Sequence, residues 1–187
     1  MSHDPGTSNY GYAIVEGEKR KSDGALQFRV LENGLAPVTI KNLKEHRERR
    51  KQMLAYQEWC AALIEKYEVE ALFGERYMTR GISGPTIESV NMMLGVLQCF
   101  GLPDMFIPAA TWKNAVTRCG IELKEEYRYC RTTPHQLDAS LIGVYGLHHV
   151  YGLKGFGDRF GQRTFDKLVT QVEDTSTARL FNRKLSK

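Results

Sequence analysis

The chain has 187 residues, enough to bury one full core but short for two, and its 42% hydrophobic and 26% charged content with a mean hydropathy of −0.41 is that of an ordinary globular protein. No apolar run reaches the roughly 18–20 residues of a membrane span. Met1-Ser2-His3-Asp4 lacks the basic-then-apolar pattern of a signal peptide, so a cytoplasmic protein without membrane attachment is expected.

The elements follow from periodicity and punctuation. Tyr10 to Val15 is aromatic and β-branched and predicts a strand after the Pro5–Asn9 turn. Ala25 to Leu31 alternates as its antiparallel neighbour, with Glu32-Asn33-Gly34 expected to break it. From Leu43 to Tyr67 the residues Met53, Leu54, Trp59, Ala62, Leu63 and Tyr67 recur at helical spacing. Val69 to Glu75 predicts a buried strand, Thr86 to Phe100 a helix opened by Gly84-Pro85, and Met105 to Pro108 a last short strand. Helices are expected over Thr111–Arg118, Glu122–Arg131 and Gln136–Tyr151, giving an α/β protein whose mixed sheet has helical cover. Residues 1–151 form the expected domain, and 152–187 a basic extension with one helix near Gln162–Val172.

Charge is uneven. The net charge is only +4, but Lys41, Lys44, Arg47, Arg49, Arg50 and Lys51 stand against Glu45 and Glu48, and basic residues outnumber acidic ones from Lys154 to Lys187. Such runs are ordinarily solvated faces; they permit a polyanionic partner without establishing one. Cys60, Cys99, Cys119 and Cys130 are too widely spaced for a zinc site and are expected to be buried free thiols.

Three places could carry chemistry. Asp4-Pro5-Gly6 alone is ordinary turn sequence. Glu75 closes an apolar strand, where a carboxylate must be paired, bound to metal, or at the surface beside Arg76 or Arg80. His135 and Asp138 fall three residues apart after Pro134, on one face of a helix's first turn, where polar residues also serve as ordinary caps. Together the carboxylate oxygens of these residues suit a hard cation such as Mg²⁺, and two such ions about 3.5–4 Å apart can drive phosphodiester hydrolysis.

As an ordered set, Asp-Pro-Gly-Thr before a Gly-Tyr strand, a strand-terminal Glu and a late His-x-x-Asp-Ala helix resemble the RuvC family of Holliday junction resolvases, over about residues 4–150. The resemblance implies a ribonuclease H-like fold and a metal site of Asp4, Glu75, His135 and Asp138 holding two Mg²⁺, for which Mn²⁺ can substitute. It implies that Lys113 acts near the scissile phosphate and that Lys124, eleven residues on, contacts DNA. Tyr77 or Met78 matches the family's junction wedge, in a basic, Gly-rich loop with Arg80. The helix Thr86–Phe100 matches the homodimer helix, with Met92, Met93, Val96 and Leu97 toward the partner, although part of that face must pack into the chain's own core. Only three residues precede Asp4, so the first strand is expected to be clipped or to begin upstream of Met1.

The implied activity is paired, symmetric nicking of a four-way junction by a homodimer, leaving 5′-phosphates. His135 would complete the metal shell or shuttle a proton. A relaxed flap or fork nuclease and a non-catalytic branched-DNA binder are the alternatives. An actin-type phosphate loop is disfavoured, because Asp4-Pro5-Gly6 is the only Asp-x-Gly in the sequence. The divergent, standalone sequence would suit a phage- or virus-encoded enzyme working in the host cytoplasm.

Overall fold

The computed structural model describes residues 1–6, 9–19, 26–38, 45–76, 84–118, 123, 132–150 and 172–173. The strands are β1 Ser2–Asp4, β2 Gly11–Lys19, β3 Leu26–Leu35, β4 Leu72–Arg76, β5 Asp104–Pro108 and β6 Val172–Glu173. The helices are α1 His46–Tyr67, α2 Pro85–Gln98, α3 Ala109–Arg118 and α4 Pro134–Val150. The sheet order is β5-β4-β1-β2-β3-β6, with β1 antiparallel to β2 but parallel to β4.

Strand alternation sends side chains to two separate cores. On one face Tyr12, Ile14 and Leu72 pack with Met53, Tyr56, Cys60 and Leu63 of α1 and with Val90, Met93 and Leu97 of α2. On the other, Ala13, Phe28, Val30 and Phe73 pack with Trp112 and Ala115 of α3 and with Leu137, Ile142 and Tyr145 of α4. Residues Leu137 through Gly146 of α4 are buried without a break, as befits a helix apolar on nearly every side. The helix can lie this close because Gly146 has no Cβ; one built there would stand 2.3 Å from the Phe73 ring.

The three-residue β1 sits in the middle of the sheet and alternates across it. Ser2 donates to Ala139 O of α4 at 2.8 Å, while His3 turns to the opposite face, edge-on to Tyr10 and Tyr56. Burial pushes the His3 imidazole down to about 3, so it is neutral. Asp4 returns to the α4 face.

Three expectations need correction, and that for α2 is narrowed. β3 does not break at Glu32-Asn33-Gly34; these residues pair with Ile14, Ala13 and Tyr12, and a bulge opposite Ile14/Val15 takes up the extra residue. In α2 the buried stripe is Val90, Met93, Leu94 and Leu97, at i, i+3, i+4 and i+7. Met93 and Leu97 are therefore core residues of this chain, and Met92 is the exposed member of the face assigned to a partner. Cys60 is a buried free thiol, but Cys99, capping the end of α2, is exposed. Cys119 and Cys130 lie outside the described residues, as does the helix expected over Glu122–Arg131 apart from Leu123. Val172, expected in a helix, instead pairs with Phe28 at the sheet edge. The rest of the 152–187 extension lies outside the described residues.

Candidate active site

The parallel register of β1 and β4 pairs His3 with Gly74, so the next row sets Asp4 beside Glu75 at one edge of the sheet. Both face α4. That helix begins with Thr133-Pro134-His135-Gln136, a capping box with proline in the first turn. Gln136 Oε1 accepts from Thr133 N at 2.9 Å, and Gln136 N donates back to Thr133 Oγ1 at 3.4 Å. This fixes the first turn and with it His135 and Asp138.

The helix start also lies unusually close to the sheet. A Cβ at Gly11, the residue paired with Asp4, would fall 2.0 Å from the His135 carbonyl oxygen. Only glycine accepts that approach. His135 Nδ1 then reaches Asp4 Oδ2 at 2.6 Å.

The remaining partners come from α3. Trp112 Nε1 donates to Glu75 Oε2 at 3.0 Å, and Lys113 Nζ lies 3.1 Å from Asp138 Oδ2. Lys113 Nζ also stands 4.8 Å from the centroid of the Trp112 ring. Burial raises the Glu75 carboxyl above the ordinary range, and the Asp4 charge raises it further, against the opposing pull of Lys113 and the Trp112 N–H. His135 is raised chiefly by its hydrogen bond to Asp4, with burial opposing. Asp4, Glu75, His135, Asp138 and Lys113 thus act on one another electrostatically although they come from β1, β4, α4 and α3.

All five sequence candidates for catalysis therefore meet at one sheet edge. The arrangement differs from the expected metal cage in one respect. Among the described residues, no three His, Cys, Asp or Glu side chains converge as a ready ligand set. Each carboxylate instead has a partner from another element, Asp4 with His135, Asp138 with Lys113 and Glu75 with Trp112. The donor set still fits a hard divalent cation, because it offers carboxylate oxygens whose mutual repulsion already raises Glu75. Trp112 was not among the expected site residues; its legible signal was its place immediately before Lys113. The expected DNA contacts Tyr77, Met78, Arg80 and Lys124 lie outside the described residues. None of the described helices is long and apolar enough to cross a membrane.

No family model matches the chain, and no curated protein matches it. Solved structures do. RuvC of T. thermophilus in complex with a Holliday junction substrate superposes with a TM-score of 0.60 at 19% identity, covering 81% of this chain and 94% of that one. The Thermus thermophilus RuvC structure superposes with a TM-score of 0.61 at 19% identity, covering 81% of this chain and 95% of that one. The mixed sheet, its helical layers and these matches establish that the chain has the RuvC-like, ribonuclease H-like α/β fold.

Proposed function

We propose that the protein is a metal-dependent endonuclease of branched DNA that resolves four-way junctions as a homodimer. The observation that carries this reading is the meeting of Asp4, Glu75 and Asp138 with His135 and Lys113 at one sheet edge. It is supported by the fold shared with a RuvC whose structure holds a Holliday junction.

Asp4, Glu75 and Asp138, with His135, would hold Mg²⁺, which when bound supplies charge neutralisation at a phosphate and a water acidic enough to attack it. The chain's own groups have distinct parts. Where His135 does not itself ligate the metal, its raised proton affinity and its Nδ1 contact with Asp4 leave Nε2 to pass a proton to or from a reacting oxygen. Lys113, paired with Asp138 and 38% exposed, can turn its ammonium to a phosphate oxygen.

The test is a synthetic four-way junction with arms of duplex DNA, assayed for nicking in Mg²⁺ or Mn²⁺ and for binding in Ca²⁺, beside flap, fork and linear duplex. Paired nicks leaving 5′-phosphates are expected, with Asp4→Asn abolishing cleavage and retaining junction binding. Cleavage by Asp4→Asn at saturating Mg²⁺ would overturn the assignment.

A further inference from the structure

We infer that Trp112 is a positioning residue that holds Glu75 for a divalent cation, and that Trp112-Lys113 acts as one yoke setting the carboxylates of β4 and α4 relative to each other. The inference rests on the metal-nuclease reading of the site. Trp112 is fully buried in the core cluster that includes Phe73, Ile107 and Leu137, so the one polar atom of its side chain is held in place. That atom donates to Glu75 Oε2 at 3.0 Å.

The choice of an indole has chemical content. A lysine or arginine there would form an ion pair and compete with a cation for the carboxylate. A hydroxyl could rotate and could accept as well as donate. The indole N–H can only donate, carries no charge and engages one oxygen, so it orients Glu75 while leaving its negative charge to attract a metal ion. The same ring lies beneath Lys113 Nζ at 4.8 Å, and that ammonium reaches Asp138 Oδ2 at 3.1 Å. Consecutive residues of α3 therefore address carboxylates on two different elements.

The test uses the full chain without DNA. Mn²⁺ binding is measured by calorimetry for wild type, Trp112→Phe, Glu75→Ala and the double variant. Trp112→Phe is expected to weaken Mn²⁺ by roughly tenfold, the size of one hydrogen bond to a charged group, and to have no further effect once Glu75 is gone. Equal weakening in both backgrounds would reduce Trp112 to a packing residue and overturn the inference. A second measurement does not need Trp112→Phe to fold. The chain has two tryptophans, Trp59 and Trp112, and the Trp112 indole N–H resonance should lie downfield and move upfield in Glu75→Ala. A resonance that stays put also overturns it. Metal binding and resonance shifts as expected, in a protein that cuts no branched DNA, would instead sink the proposed function and leave the yoke standing.

Discussion

His135 Nδ1 lies 2.6 Å from Asp4 Oδ2, tying the first turn of α4 to the end of β1 across 131 residues of chain. Because the imidazole has its proton affinity raised by that carboxylate, the metal-free pair stabilises the fold in its charged form. The sign is fixed by the raised value. The contribution is fully present below the ordinary histidine value of about 6.5 and is lost as pH rises through the higher folded one. An NMR titration of the metal-free protein should show His135 titrating above 6.5, and Asp4→Asn should bring it back down. A His135 that titrates alike in both proteins would mean the pair does not form in solution.

A second carboxylate behaves in the opposite sense. Glu32 of β3 accepts from Tyr12 at 2.6 Å, from Lys66 at 3.1 Å and from the Tyr67 hydroxyl, so it pins the end of α1 to the sheet. The phenol hydrogen bonds lower it below its usual 4.5. A depressed carboxylate contributes stability above its unfolded value, lost as pH falls through the folded one. Glu32→Gln should therefore cost about 1–2 kcal/mol at neutral pH and less in acid, once pH falls through the folded value of Glu32, read from urea unfolding at both. An equal cost at the two pH values would show that shape, not charge, matters there.

Asp4, Glu75, His135 and Asp138 could be grouped as one candidate site from their order along the chain, although each alone reads as a turn, strand-end or cap residue. What joins them was less legible. The Asp4–His135 contact depends on how far α4 sinks onto the sheet, which is set by glycines distant in sequence. The capping box Thr133-x-x-Gln136 was readable and places the helix start at Pro134, two residues before the Gln136 expected from apolar periodicity. β3 could not be followed past Leu31 because Glu, Asn and Gly have poor strand propensity, and pairing with β2 overrides it. Which part of the α2 face is core could not be read for a related reason: one apolar stripe serves core and partner equally well until the sheet is in place.

Gly11 is the position where this packing is most exposed to challenge. A methyl group there would stand 2.0 Å from the His135 carbonyl oxygen and 3.0 Å from its Cβ, and the first of these neighbours is backbone. It cannot swing aside as a side-chain tip would, so the start of α4 must retreat by about 1 Å or more to restore van der Waals separation. That retreat carries His135 away from Asp4 and Asp138 away from Glu75. Gly11→Ala should lose about 1–3 kcal/mol of stability through overpacking, and roughly 100-fold in junction cleavage through misplaced groups. Gly95→Ala in α2 is the control, since nothing stands within 4 Å of a Cβ there. It should keep cleavage and gain up to about 1 kcal/mol from helix propensity. Thermal unfolding and single-turnover nicking of both variants decide the matter, and a Gly11→Ala protein that cuts at the wild-type rate would show that the approach of α4 to β2 does not set the site.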